Sequence, residues 1–115
     1  MPLRMNKAWI ALTLERVKRL SGQPGVYQIQ DASGQVAFIG YAGGRSLFGL
    51  RGEVERELAS RGTGYSFRCE INMQYMTRYK ELLMLHAADH GELPRDNRKL
   101  GPPRLGRLRP AETAD

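Results

Sequence analysis

Cysteine is nearly missing from this chain: Cys69 is the only one among 115 residues. One thiol closes no intrachain disulfide and builds no thiolate zinc cage, which excludes the disulfide-stapled class and points to a reducing, cytoplasmic setting. Long apolar runs are missing too. No stretch of about 18 apolar residues exists, so no spanning helix and no membrane partner is expected. The first residues lack a signal-peptide pattern, because Met1–Lys7 leads into a stretch broken by Glu15, Arg16 and Lys18. Acidic residues are the scarce charge, 12 against 18 Lys and Arg, which leaves a net charge of +6.

What is present suffices for one domain. A 13.0 kDa chain falls within the usual size of one compact unit. Its 41% hydrophobic and 26% charged residues lie outside the composition of disordered chains. The basic excess favours an anionic partner, since clustered Lys and Arg gain affinity by releasing counterions from a phosphate backbone.

Along the chain, Asn6–Leu20 reads as a helix capped by Asn6, with Ile10, Leu14 and Val17 on one face. Ser21–Pro24 breaks it. Gly25–Gln30 then alternates Tyr27 and Ile29 against Gln28 and Gln30 with the period of a strand. Asp31-Ala32-Ser33-Gly34 is turn chemistry and Val36–Tyr41 a second strand, so the pair is an antiparallel hairpin. From Ser46, Leu47, Leu50, Val54 and Leu58 return at helical spacing. Phe67, Cys69 and Ile71 alternate as a third strand with inward side chains, and Thr77–His90 is a helix whose centre, Leu82–Leu85, is apolar nearly all round and so packed on both sides. From Leu93, prolines at 94, 102, 103 and 110 and arginines at 98, 104, 107 and 109 describe a draped basic tail. It reads equally as a solvated arm and as an arm lying along nucleic acid.

The hairpin carries two motifs in register, Gly25-Val26-Tyr27 and Phe38-Ile39-Gly40, and the ordered set Pro24-Gly25-Val26-Tyr27, Asp31, Gly34, Val36, Ile39-Gly40 is its most specific part. Over roughly residues 20–97 the chain resembles the GIY-YIG nuclease superfamily, most closely the N-terminal domain of UvrC-type subunits of bacterial nucleotide excision repair. The resemblance implies an α+β fold with a small three-stranded sheet, an antiparallel hairpin and flanking helices. It divides the chain into a GIY-YIG-like domain with an N-terminal helix over 1–97 and a basic, Pro-rich tail over 98–115. It also implies a cytoplasmic, divalent-metal-dependent DNA endonuclease in repair or processing, with DNA and a repair or recombination protein as partners. In such chemistry a metal acts as Lewis acid and positive charge steadies an anionic phosphorane-like transition state.

Carried over residue by residue, the resemblance makes Tyr27 the tyrosine that helps activate water, Arg51 the phosphate-stabilising arginine, His86 the metal-binding position and Asn97 the late asparagine that completes the site. The first three have plain alternatives: a packed strand tyrosine, a boundary arginine, a satisfied structural histidine. The pattern departs in three places. Phe38 keeps the ring of the second motif's tyrosine without its hydroxyl, which Tyr41 restores only if the strand bends at Gly40. Gly43–Gly49 carries a short insertion, which leaves Arg51 in the arginine's place, whereas the alternative register would put Glu53 there. His86 replaces the glutamate that holds the metal, and Glu81, roughly 140° round the helix, is no substitute. A carboxylate site takes Mg²⁺ or Mn²⁺, whereas an imidazole ligand favours Zn²⁺. His86, Asp89 and His90, at i, i+3 and i+4, read either as a metal cluster or as a polar patch. Tyr41, Arg45, Arg98, Lys99 and Arg104 are the candidate nucleic-acid contacts.

Three functions follow: a metal-dependent endonuclease, a nucleic-acid-binding module whose hydrolytic centre has decayed, and a small domain that contacts protein partners. Retention of Tyr27, an arginine and Asn97 favours the first. Loss of the metal glutamate and of one tyrosine hydroxyl favours the second.

Overall fold

Asp31 makes the central hairpin. One of its carboxylate oxygens accepts from the Ser33 and Gln35 amides (3.0 and 3.1 Å) and from the Ser33 hydroxyl (2.6 Å), closing a tight turn. These bonds to the ionised form hold its carboxyl below the ordinary range. The turn joins Gly25–Gln30 to Val36–Ala42 in a computed structural model that describes residues 4–44 and 46–98. In chain order the elements are β1 (Ile10–Ala11), α1 (Leu14–Val17), β2 (Gly25–Gln30), β3 (Val36–Ala42), α2 (Gly49–Arg61), β4 (Ser66–Ile71), α3 (Tyr75–His90) and α4 (Arg95–Arg98).

The sheet is fully antiparallel, in the order β1-β4-β2-β3. It has four strands, not the three expected, because residues read as the first helix supply β1. Ile10 and Ala11 pair with Phe67 and Ser66. Arg68 holds this segment extended, with its guanidinium 4.2 Å from the Trp9 ring and bonded to the Lys7 carbonyl at 3.1 Å. Helix formation waits until Thr13, whose hydroxyl caps the Arg16 amide, and lasts one turn. Asn6 caps nothing.

Residues paired across β2, β3 and β4 share a face, so side chains sort cleanly onto two cores. One face carries Tyr27, Ile29, Ala42 and Phe67 and packs against Leu12, Val17, Leu50 and Val54 of the α1–α2 layer. The other carries Val26 and Ile39 and packs against Met5, Leu82 and Leu83 under α3. The result is helices on both faces of one sheet. Two expectations of burial fail at the margins. Ile71 sits opposite Gly25 at the end of the sheet and is 51% exposed, and Met84 on the outer side of α3 is 50% exposed, so α3 is packed on one side only. No helix among the described residues is long and apolar enough to cross a membrane.

Candidate functional site: a tyrosine cleft around the sheet edge

β3 is an edge strand, and a cleft of about 660 Å³ wraps round it. Tyr27, Phe38 and Gly40 line it from one face of the sheet, Tyr41, Tyr75 and Tyr79 from the other, and Arg56 and Glu53 from α2. The Tyr27 ring lies across Gly40: a Cβ there would stand 2.4 Å from Cζ and 2.5 Å from the hydroxyl. Glycine is required because the ring crosses the backbone of the neighbouring strand. The pairing runs on without a bulge through Tyr27–Gly40 to Val26–Tyr41. The strand therefore does not bend at Gly40, and Tyr41 stands on the opposite face from Tyr27. There its ring stacks on Tyr75 (centroids 5.9 Å, planes 14° apart) and meets the edge of Tyr79 at 4.8 Å.

The Tyr27 hydroxyl is committed. It donates to Glu57 Oε2 at 3.0 Å, while Arg61 Nε donates to Glu57 Oε1 at 2.7 Å and Arg61 also bonds Asp96 at 2.6 Å. The Arg61 guanidinium lies 5.7 Å from the Phe38 ring centre and 5.3 Å from that of Tyr65. Burial, reinforced by the charge and hydrogen bond of Glu57, pushes the Tyr27 phenol far above its ordinary value. It stays neutral and donates its hydrogen to Glu57. The sequence marks this chain of groups only faintly, as the i, i+4, i+8 series Glu53, Glu57, Arg61 on one stripe of α2.

The four residues first selected as catalytic are not gathered in this cleft. Only Tyr27 lines it. Arg51 places its guanidinium 5.6 Å from the Phe48 ring, and Glu53, two residues on, takes the cleft-facing place, as in the alternative register. His86 shares a helix face with Tyr79 but lies seven residues, about 10 Å, further along α3. It borders two other hollows, one of about 450 Å³ with Asp31, Glu92 and Arg98 and one of about 260 Å³ with Arg4 and Asp89. Its Nδ1 lies 3.0 Å from the Glu92 carbonyl oxygen, and its ring is 4.3 Å from that of His90. Burial is the main cause that lowers its pKa.

Asn97 is buried and works on the backbone. Its amide accepts from Ile39 N at 2.8 Å and donates to Ile39 O at 2.9 Å, closing the outward-facing bonds of the edge strand. Of the candidate nucleic-acid contacts, Tyr41 is 38% exposed in the cleft, and Arg98 pairs with Glu92 at 3.0 Å. Arg45, Lys99 and Arg104 lie outside the described residues.

A hard divalent ion takes oxygen ligands, for Mg²⁺ one or two carboxylates together with water and substrate phosphate. Of the two carboxylates beside Tyr27, Glu57 has both oxygens occupied and Glu53 pairs with Arg56 at 3.5 Å. In the proposed helical cluster Asp89 is held by a bidentate bond from Arg4 (2.6 and 2.8 Å) and His86 by Glu92. No group of three His, Cys, Asp or Glu among the described residues is arranged to hold an ion.

Fold and cleft together define a small α+β domain with an aromatic groove at a sheet edge. Residues 1–89 match the family described as a domain of unknown function, DUF7508, and the chain belongs to that family. No curated protein and no solved structure matches it.

Proposed function

We propose that this chain is a nucleic-acid-binding module on a GIY-YIG-like scaffold, with DNA as its partner and with the hydrolytic centre decayed. The observation that carries the reading is the division of labour in the cleft. Tyr27 is tied to Glu57 and Arg61, while Tyr41 and Tyr75 remain as a stacked pair beside Arg56. Burial disfavours a Tyr27 phenolate, the form that takes a proton from water most readily, and Glu53 in place of an arginine repels a scissile phosphate. Aromatic faces beside a guanidinium are what a nucleic acid uses when bases stack and phosphates pair. The net charge of +6 supplies long-range attraction.

The test is binding of the purified chain to single-stranded, nicked and duplex DNA across a salt series, beside incubation with Mg²⁺, Mn²⁺ or Zn²⁺ and an EDTA control. The expected result is affinity that falls steeply with salt, no cleavage in any metal, and Tyr27→Phe binding DNA within about twofold of the parent. Tyr41→Ala should lose about five- to tenfold, the scale of one base-stacking contact. Metal-dependent cutting abolished by Tyr27→Phe would restore the endonuclease reading. Salt-insensitive or absent binding would leave the protein-partner reading.

A further inference from the structure

Two large apolar side chains stand in solvent just before α2, Leu47 on the wall of the tyrosine cleft and Phe48 next to it in the chain. Leu47 is 72% exposed and Phe48 57%, on the segment that turns into α2. Phe48 adopts φ 63° and ψ 16°, and among the described residues it is the one non-glycine with positive φ. A bulky residue in the left-handed region carries strain that surrounding structure must hold in place.

The surroundings do hold it. Gly49 packs so tightly on the preceding loop that a Cβ would meet the Gly22 carbonyl oxygen at 2.1 Å, and a Cβ on Gly52 would meet the Leu47 carbonyl oxygen at 2.2 Å. The Leu50 and Arg51 amides donate to the Gln23 and Ser21 carbonyls at 3.0 and 3.1 Å, and Gly49 N donates to Ser46 O at 3.2 Å. The two side chains are thus presented outward on a braced turn. Arg51 lies over the Phe48 ring, and Leu47 continues into the cleft beside Tyr75, Met76 and Arg56.

From this placement we infer that Leu47 and Phe48 form a wedge that enters an opened base step of DNA, with Arg51 and Arg56 on the flanking phosphates and the displaced base received by the tyrosines. Proteins that distort duplexes use such side chains, trading unstacking for a bent or opened strand that contacts more surface. The inference rests on the nucleic-acid reading and narrows its substrate to distorted DNA: mismatched, gapped or already unpaired steps, where unstacking costs least.

The test uses Phe48→Asn and Leu47→Asn, separately and together. Asparagine tolerates the left-handed backbone, so Phe48→Asn should unfold at the same or a higher temperature than the parent. Binding is read by anisotropy on matched and mismatched duplexes, and base opening by the brightening of 2-aminopurine beside the mismatch. The parent is expected to prefer the mismatched duplex by about tenfold and to brighten the probe. The double variant should lose the preference and leave the probe dark, while its remaining duplex affinity still falls steeply with salt. A parent that binds no DNA would overturn the nucleic-acid reading, and the wedge with it. A parent that binds DNA without preference or brightening, variants that behave like the parent, or vesicles of anionic lipid that capture the parent but not the double variant in place of DNA, would overturn the wedge alone.

Discussion

The two ends of α3 and the sheet edge beside it spend their polar groups in opposite ways. Round the cleft, Tyr27, Glu57, Arg61 and Asp96 saturate one another in partly buried bonds, with Arg61 and Asp96 side chains only 13% and 16% exposed. Aromatic faces are what remains for a ligand. At the far end, Arg4, Asp89, His86 and His90 lie near the surface, and the Arg4–Asp89 pair is 57% and 39% exposed. The contrast teaches that residue types suited to acid–base work are not evidence of it. What decides is whether a partner has already claimed them, and in both places partners have, partly buried beside Tyr27 and solvated at the far end.

Arg61→Met should break the comparison most severely. It takes the shared cation from two partly buried carboxylates, Asp96 keeping its longer pair with Arg95 at 3.5 Å, and a loss of about 3 kcal/mol in denaturant unfolding is expected, with Tyr27 freed from its fixed acceptor. The matching change at the other end, Arg4→Met, should cost far less by the same measurement, because that pair is solvated and screened. Equal costs would erase the difference between the two ends. Next in size, Gly40→Ala forces a methyl group into the Tyr27 ring and should cost about 2 kcal/mol by the same measurement. Stability near that of the parent would show that the ring does not lie across β3.

The smallest effect belongs to pH. His86 is held below its ordinary value of 6.5, chiefly by burial, so the unfolded chain takes up a proton that the folded chain resists. The stabilisation is whole above the unfolded value and drains away as pH falls through the folded one. Melting temperature should therefore drop as pH is lowered below about 6.5, and His86→Gln should flatten that part of the curve. A parent curve that is flat from pH 7 to about 5 would place His86 as solvated as any surface histidine.

Local pattern made the hairpin readable. Gly25–Gln30 is as the alternation predicts, and β3 runs one residue past the expected Tyr41, because strand period and Asp31 turn chemistry act over neighbouring residues. The third helix was readable for the same reason and starts two residues early, at Tyr75. The N-terminal segment was not. Ile10, Leu14 and Val17 fit a helix by spacing, but the contacts that hold the chain extended come from Arg68 and Phe67, almost sixty residues away. The second helix starts at Gly49 instead of Ser46, since Phe48 turns left-handed before it. At the cleft, Tyr27 was visible through its motif. Arg51 against Glu53 was a choice of register that only the burial of Leu50 and Val54 distinguishes, and the Tyr27–Glu57 bond joins residues 30 apart with no local trace.

The Asn97 clip has a consequence for association. Its one amide imitates a further strand, offering Ile39 the donor and acceptor that a neighbouring backbone would offer. Shortening the chain at Pro94 uncovers those groups beside a β-rich, uncharged run from Val36 to Ala42, which is a template for edge-to-edge pairing. Such a chain would meet its own copies first, sealing by self-assembly the margin that one asparagine covers in the full chain.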